Sequence, residues 1–249
     1  ANMREIMNDE LLENMVWDSI RTIRIKDIQK EPELFSNTFR VLKNLVLLNS
    51  KYQEFTEEKA LNALISQIML LSKIDTVLEF ETEDSNDLLV DYFEVSDKEI
   101  DNFKINIYST VVELGVPIVQ TVFLEEFGII DLINATYIIT ESEGTYSIQK
   151  AMFLHDTSKQ FLSNFNTNIN LLNKSLSKNL DSTDLQKQVY SALISPILNL
   201  NLFNHNGEDL MPIIFITNAT TQSIPFTALI DENDNYLLDS FVFIRSNSL

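Results

Sequence analysis

Apolar residues recur with a helical period in the first third of the chain. The segment that begins at Thr56 keeps a spacing close to 3.6 residues, which predicts an amphipathic helix with Thr56 as its N-cap. An earlier segment shows the same spacing, and together the two predict a helical hairpin. The stripes comprise Phe35, Phe39, Leu42, Leu45 and Val46 in the earlier segment and Leu61, Leu64, Ile65, Ile68 and Leu71 in the later one.

A further helix is predicted from the signals at its two ends. Ser96 followed by Glu99 forms a capping box that begins a helix running to Leu114. Gly115 and Pro117 then supply a carboxyl-terminal stop. We therefore expect residues 1–115 to form a mostly helical subdomain, for which a regulatory role is one interpretation.

The stretch just before and into this helix is strongly acidic. Residues 79–101 carry ten acidic side chains and a single basic one, Lys98, and contain no glycine. A calcium loop needs fixed ligand spacing around a central glycine. A solvated, charged connector is therefore the interpretation that the stretch favours.

After Pro117 the pattern changes from helices to strands. Residues 118–124 are rich in β-branched side chains, and residues 135–140 and 145–152 flank a turn that contains Gly144, which predicts a hairpin. The continuous apolar run 211–217 is typical of a fully buried parallel strand. Strands are also predicted at 226–230 and 236–244, on either side of the polar turn 231–235.

Two amphipathic helices are predicted between the hairpin and the buried run. The first begins near Asp156 or Thr157 and extends to residue 178. The second covers residues 183–200, with Thr183 and Gln186 as a capping box. With these helices flanking strand 211–217, residues 116–249 are predicted to form an α/β layer.

Charge and cysteine content narrow the classes of partner and chemistry. The chain has 37 acidic and 18 basic residues, for a net charge of −19, so we expect neither nucleic acid nor a membrane surface as a partner. The excess charge either aids solubility or attracts a basic protein or peptide.

Cysteine is absent, which excludes disulfides and thiolate chemistry within this sequence. No apolar stretch of transmembrane length occurs, and a cytoplasmic location is the default expectation.

Several segments of the second half resemble the opening part of a CHAT domain, a caspase-like peptidase fold. In chain order they are a strand, a helix with an aliphatic-x-Pro-aliphatic end, a buried strand followed by a Pro-Phe-x-x-Leu turn, and a final strand pair. These correspond to Ala135–Thr140, Val189–Ile197, Ile213–Ile216 with Ile224–Leu229, and Tyr236–Phe243. The loop departs from the family pattern, since Thr217-Asn218-Ala219 stands where relatives tend to have Pro-Asp-Gly. The resemblance implies an incomplete three-layer caspase-like α/β domain over residues 116–249.

The resemblance also implies a peptidase function, and it implies that the catalytic residues lie outside this sequence. In the family the catalytic histidine and cysteine lie on later strand ends, beyond the position that Ser248 matches. The expectation is an amino-terminal fragment of a CHAT-type cysteine peptidase, with regulatory helices and part of the fold but without the dyad. The partner would be a protein, either a regulator or a peptide substrate. The alternative is a non-catalytic protein-interaction module, and the oligomeric state is left open.

No catalytic, cofactor-binding or metal-binding residue is nominated. His155 is predicted to begin a helix and His205 to lie in a polar surface loop, and neither matches the family's catalytic position. Four glycines cannot form a Walker loop or a dinucleotide fingerprint, and no His-Glu-x-x-His motif occurs. Pro225 and Phe226 are interpreted as packing residues. We also expect strand 211–217 to lack a partner on one side and to leave an exposed sheet edge.

Overall fold

The chain forms a mixed α/β structure with a five-stranded sheet in the part that can be described. A computed structural model describes residues 18, 20–48, 56–77, 88–123, 132–155, 165–203, 210–217 and 221–246. Contacts between residues divide the chain into two compact units, Ala1–Lys104 and Ile105–Leu249. The division falls inside a helix, whereas the boundary predicted from the sequence follows the end of that helix.

The described part of the first unit contains helices that bury the two apolar stripes. They are α1 (Ile25–Lys30), α2 (Pro32–Leu48), α3 (Glu57–Thr76), α4 (Leu89–Phe93) and the first part of α5 (Asp97–Ile107). Helices α2 and α3 contact each other, and Leu42, Ile65 and Ile68 are buried. Helix α3 begins directly after Thr56, although the Thr56 side chain makes no capping hydrogen bond.

The α2–α3 contact differs from that of a simple hairpin. Lys43 Nζ lies 2.9 Å from Asp75 Oδ1, and both side chains are largely buried. This ion pair joins the carboxyl-terminal parts of α2 and α3, whereas an antiparallel hairpin brings the end of one helix to the start of the next. A buried ammonium group is costly unless a carboxylate lies within reach. The Lys43–Asp75 pair therefore favours a packing of α2 on α3 that brings these two residues together.

Helix α5 begins and ends where the sequence signals predict. The Ser96 amide and hydroxyl each donate to Glu99 Oε2 at 2.8 Å, and the Glu99 amide donates back to Ser96 Oγ at 3.3 Å, which confirms the capping box. The helix continues as a π-helical segment, Tyr108–Glu113, and stops before Gly115, whose φ of +68° suits glycine. Of the acidic stretch, residues 79–87 lie outside the described part. The later part of the stretch lies mostly on helices α4 and α5 instead of on a connector, because apolar residues of these helices are buried. The acidic residues on the helices are Asp91, Asp97, Glu99 and Asp101, and the buried apolar ones include Leu89, Phe93, Ile100 and Phe103.

The predicted hairpin forms one half of the sheet. Strands β2 (Leu132–Ser142) and β3 (Thr145–His155) pair in an antiparallel register around Glu143 and Gly144. These two residues have φ values of +53° and +79°, as a two-residue type I′ turn requires. Strand β1 (Ile118–Phe123) pairs with β2 in antiparallel fashion, and all of its residues are buried.

The other half of the sheet is parallel. Strand β4 (Met211–Ile216) pairs with β1 on one side and with β5 (Phe241–Ser246) on the other, which gives the order β3-β2-β1-β4-β5. The prediction of a parallel strand at 211–217 is confirmed. The expectation that this strand lacks a neighbour is wrong, because β5 pairs with it and takes the edge position among the described strands. Complete burial is also wrong, since Pro212 and Ile214 are only half-buried.

Three helical segments pack on one face of the sheet, which we call the helix-covered face. They are α6 (Phe165–Ser177), α7 (Thr183–Val189) with its π-helical continuation Tyr190–Ile194, and α8 (Ser195–Leu198). Their apolar residues share one buried cluster with Val119 of β1 and with Ile213 and Phe215 of β4. The predicted start of the first helix near residue 156 lies outside the described residues.

The capping box predicted at Thr183 and Gln186 is wrong. The Thr183 amide and hydroxyl instead donate to Asp181 Oδ1, at 3.1 and 3.0 Å. Gln186 is buried, and its side chain turns inward to a residue far along the sequence. A tertiary hydrogen bond has replaced the local one.

One predicted strand, 226–230, is replaced by a tight turn, and the predicted strand 236–244 is shortened by another turn at its start. Residues 226–230 form a 3₁₀ turn, Phe226–Ala228, followed by an isolated bridge from Ile230 to Tyr236. Residues 237–239 form a second 3₁₀ turn, so β5 begins at Phe241 instead of residue 236. The turns bury Phe226 and Leu237 in the cluster under the sheet, and an extended chain would send alternate side chains away from it.

Candidate functional site: the connection from β4 to β5

Three phenylalanine rings anchor the connection from β4 to β5. The ring of Phe226 lies 4.7 Å from that of Phe215 on β4 and 4.9 Å from that of Phe243 on β5, centroid to centroid. Phe215 and Phe226 are almost completely buried. This confirms that Phe226 is a packing residue, with aromatic contacts beyond simple burial.

An arginine on β5 holds the start of the same connection. Arg245 Nη1 donates to the carbonyl oxygen of Gln222 at 2.8 Å, and Nη2 donates to the carbonyl oxygen of Ile224. The guanidinium also lies 5.5 Å from the centre of the Phe226 ring. A planar group with several donors can satisfy two carbonyls and stack on an aromatic ring at once.

Gln186 of α7 holds the far side of the Phe226 turn. Its side-chain Nε2 donates to the carbonyl oxygen of Ala228 at 2.6 Å, and the side chain is buried. Asn173 of α6 similarly donates to the carbonyl oxygen of Ser223 at 2.8 Å. The connection from β4 to β5 thus accepts hydrogen bonds from side chains of α6, α7 and β5. No local sequence pattern marks these contacts, although a single arginine in an apolar strand could have drawn attention to Arg245.

The middle of the connection is acidic. Asp231 Oδ1 accepts hydrogen bonds from the amides of Asn233 and Asn235, both at 2.8 Å. The side-chain amide of Asn235 adds a third, to Oδ2 at 3.0 Å, and is the main reason that the pKa of Asp231 lies below its usual value. Lys187 pairs with Asp234 at 2.7 Å. Burial raises the pKa of Tyr190, and the charges of Asp231 and Glu232 raise it further.

A row of polar side chains crosses the opposite face of the sheet. Gln120 of β1, Tyr137 of β2 and Lys150 of β3 are partners in register, so their side chains share that face. The Lys150 ammonium lies 5.4 Å from the centre of the Tyr137 ring, and burial lowers the pKa of Lys150 to about 8. The row above it is apolar, with Ile118, Ile139 and Ile148 in register.

Thr217, which follows β4, contacts the main chain at the carboxyl end of β5. The Thr217 amide donates to the carbonyl oxygen of Ser246 at 2.8 Å, and its hydroxyl lies 3.4 Å from the same oxygen. Ligands of open α/β sheets commonly bind at such strand ends. Here, within the described part of the chain, Thr217 continues the pairing of the two strands.

Of the predictions for the two histidines, only that for His155 falls on described residues. The prediction that His155 begins a helix is wrong, because the backbone of His155 ends strand β3 and pairs with Leu132. Extension of the hairpin by cross-strand hydrogen bonds outweighs the helical signal that follows it. His205 lies outside the described residues. A search of the described ranges finds no group of three or more histidine, aspartate or glutamate side chains placed to hold a metal ion.

No protein-family model matches the chain, and no curated protein sequence matches it. Within the described residues, no helix has both the length and the apolar character needed to cross a bilayer.

Proposed function

We propose that this chain is the non-catalytic, amino-terminal part of a CHAT-type caspase-like cysteine peptidase. It would supply regulatory helices and the first strands of the peptidase fold, and the catalytic histidine and cysteine would lie in another part of the protein. A protein would be its partner, either as regulator or as substrate. A reducing compartment such as the cytoplasm suits a chain without cysteine.

One observation carries the proposal. The segments that resemble the family are far apart in sequence, yet their apolar residues belong to one buried cluster. The cluster contains Val189, Leu193 and Ile197 of the helical segment, Ile213 and Phe215 of β4, Phe226 and Leu229 of the turn, and Phe241 of β5. A chance resemblance of separate segments has no reason to place their apolar residues in one core, whereas elements of a common fold would do so.

The chemistry of the sequence restricts what this part can do alone. A caspase-like mechanism needs a thiolate beside a histidine, and the sequence contains no cysteine. We therefore expect the 249-residue chain to lack peptide hydrolysis and to show no reaction with thiol-directed inhibitors.

A fluorogenic peptide panel tests the proposal, with the product of the complete natural gene as the positive control. The complete product should cleave at least one peptide and lose that activity after thiol alkylation, while the shorter chain stays inactive. Turnover by a homogeneous preparation of the shorter chain would contradict the proposal. So would a natural reading frame that encodes no cysteine at all.

A second candidate function is a protein-interaction module without a catalytic partner. The exposed apolar side chains of Val242 and Ile244 on β5 favour it. The reading frame separates the two candidates, because only the peptidase requires a histidine and a cysteine outside the present sequence.

A further inference from the structure

Lys150 lies near the middle of β3, on the sheet face opposite the helix-covered face, and apolar residues flank it. Along β3 its neighbours on the same face are Ile148 and Met152, two positions away on either side. Across the sheet its partner in register is Tyr137, whose ring centre lies 5.4 Å from the ammonium. Two apolar rows therefore run beside the Lys150 side chain. One consists of Ile118, Ile139 and Ile148, and the other of Val122, Ala135 and Met152.

The Lys150 side chain is partly withdrawn from water but is not sealed off from it. Lys150 is half-buried, and Tyr137 beside it is almost completely buried. Burial among apolar groups disfavours the charged form of an amine, which lowers the pKa of Lys150 from 10.5 to about 8. Met152, its neighbour on the same face, is 42% exposed. A small molecule can therefore approach the amine from the solvent beside Met152.

A lysine in these surroundings is suited to react with carbonyl compounds. Only a neutral amine has a lone pair that can attack a carbonyl carbon, and lysines desolvated by apolar groups include those that form imines in proteins. At pH 7 roughly one Lys150 amine in ten is neutral, against roughly one in three thousand for a lysine whose pKa is 10.5. The net charge of −19 opposes the approach of anionic acyl donors but does not repel an uncharged aldehyde.

We propose that Lys150 is a covalent modification site, where the side-chain amine condenses with a small, uncharged aldehyde to form an imine. The nitrogen lone pair attacks the carbonyl carbon, and the resulting carbinolamine loses water, which carries away the carbonyl oxygen and the two amine hydrogens. A carbon–nitrogen double bond replaces the carbon–oxygen one, so the step needs no oxidant or reductant. Contacts with Ile148 and Met152 favour an aldehyde with an alkyl chain. The proposal depends on β3 and its neighbours and not on the family resemblance.

Reductive trapping with propanal tests the proposal on the 249-residue chain. Cyanoborohydride converts the imine into a stable secondary amine, and peptide mapping by mass spectrometry gives the labelling rate of each lysine. The exposed Lys174 of α6 is the reference. At pH 7 we expect Lys150 to be labelled at least about tenfold faster than Lys174, because its larger neutral fraction outweighs its lower basicity and partial burial. Equal or slower labelling of Lys150 would overturn the proposal.

The pH dependence of the labelling provides a second readout. The ratio of the Lys150 rate to the Lys174 rate cancels the effect of pH on the reagents themselves. An ordinary exposed lysine continues to gain neutral amine up to about pH 10.5, whereas Lys150 is mostly neutral above about pH 8. We therefore expect the ratio to fall at least about tenfold as the pH rises from 7 to 10.5. A ratio that stays constant over this range would contradict the proposal.

A pair of matched variants tests whether the apolar surroundings make Lys150 reactive. Met152→Glu places a carboxylate beside the amine and favours its charged form, whereas Leu171→Glu makes a similar change on α6, at a residue that is 47% exposed. At pH 7 we expect Met152→Glu to slow the labelling of Lys150 at least about fivefold and Leu171→Glu to change it less than about twofold. Equal effects of the two variants would overturn the proposal.

Discussion

The side-chain amide of Gln186 donates a hydrogen bond of 2.6 Å to the main-chain oxygen of Ala228, 42 positions later in the chain. The bond links helix α7 to the 3₁₀ turn whose Phe226 ring lies against β4 and β5. Gln186 is buried and Ala228 is half-buried, so replacement of Gln186 would leave the Ala228 oxygen without this donor in a partly buried place.

We predict that Gln186→Ala lowers the free energy of unfolding by about 1–3 kcal/mol, the cost of a lost buried hydrogen bond with an abandoned acceptor. Gln188→Ala is the matched control, because Gln188 lies on the same helix but is exposed; its effect should stay within about 0.5 kcal/mol. Urea denaturation of the two variants and the unmodified chain measures both. Equal losses would show that the bond to Ala228 contributes nothing specific.

Arg245→Lys should loosen the connection from β4 to β5. A lysine ammonium cannot satisfy the carbonyl oxygens of Gln222 and Ile224 together in the planar arrangement that the guanidinium uses. We expect faster proteolytic cleavage within residues 221–225 and a loss of about 1–2 kcal/mol in the free energy of unfolding. Lys178→Arg, at an exposed position after α6, is the control and should leave the cleavage rate unchanged.

Glu99 should make the stability of the first unit depend on pH. Hydrogen bonds from the Ser96 amide and the Lys73 side chain are the main causes that lower the pKa of Glu99 from 4.5 to about 2. A folded-state pKa below the unfolded value means that the stabilisation is present above about pH 4.5 and disappears as the pH falls towards 2. The difference in unfolding free energy between the unmodified chain and Glu99→Gln should shrink over that range.

Asp101→Asn provides the comparison for Glu99, because Asp101 is exposed on the same helix. Its difference from the unmodified chain should vary less with pH than that of Glu99→Gln. A Glu99→Gln difference that stays constant from pH 6 to pH 2 would contradict the role assigned to the capping box. Denaturation at a series of pH values provides the measurement.

Lys150 should destabilise the folded chain at neutral pH. Burial lowers its pKa from 10.5 to about 8, so between these values the unfolded chain holds more protons than the folded one, and stability rises with pH. Lys150→Met should be more stable at pH 7 by roughly 1–3 kcal/mol, since each pKa unit corresponds to about 1.4 kcal/mol, and part of the gain is offset by the lost contact with the Tyr137 ring. The advantage should diminish as the pH approaches 10.5.

The exposed Lys174 of α6 supplies the control for Lys150. Lys174→Met should have nearly the same free energy of unfolding as the unmodified chain. Between pH 8 and 10.5 the free energy of unfolding of the two chains should also change with pH in the same way. Thermal or urea unfolding across this range checks both variants. A Lys150→Met chain that is less stable at pH 7 would show that its contacts outweigh the cost of burial.

Local patterns predicted the elements whose contacts are local. The Ser96–Glu99 capping box spans one helical turn, and the Glu143-Gly144 turn connects directly paired strands, so the residues that decide each feature are neighbours in the sequence. The same reasoning failed for Gln186, because two hydrogen-bonding options existed. The distant Ala228 oxygen, which no local pattern reveals, provided the one that forms.

In the candidate site, too, local features were predicted from the sequence and long-range contacts were not. The sequence predicts Phe226 to be a packing residue, and it is buried, yet the polar turn 231–235 predicts strands where the two 3₁₀ turns form. The Arg245 contact with Gln222 and Ile224 spans more than twenty positions and could not be read from spacing. The parallel character of 211–217 followed from its continuous apolar run, but its neighbours on each side did not.

The sequence by itself determined the acidic charge, the absence of thiolate chemistry within it, the hairpin, the two ends of α5 and the apolar run that becomes β4. Each depends on composition or on residues within a few positions of one another. The tertiary structure decided that β4 lies between β1 and β5, that β5 is last in order among the described strands, and that residues 226–228 and 237–239 turn instead of extending. Those choices depend on burying Phe226 and Leu237 under the sheet and on satisfying carbonyl oxygens from distant side chains. Their free energy comes from contacts that exist only once the chain has folded.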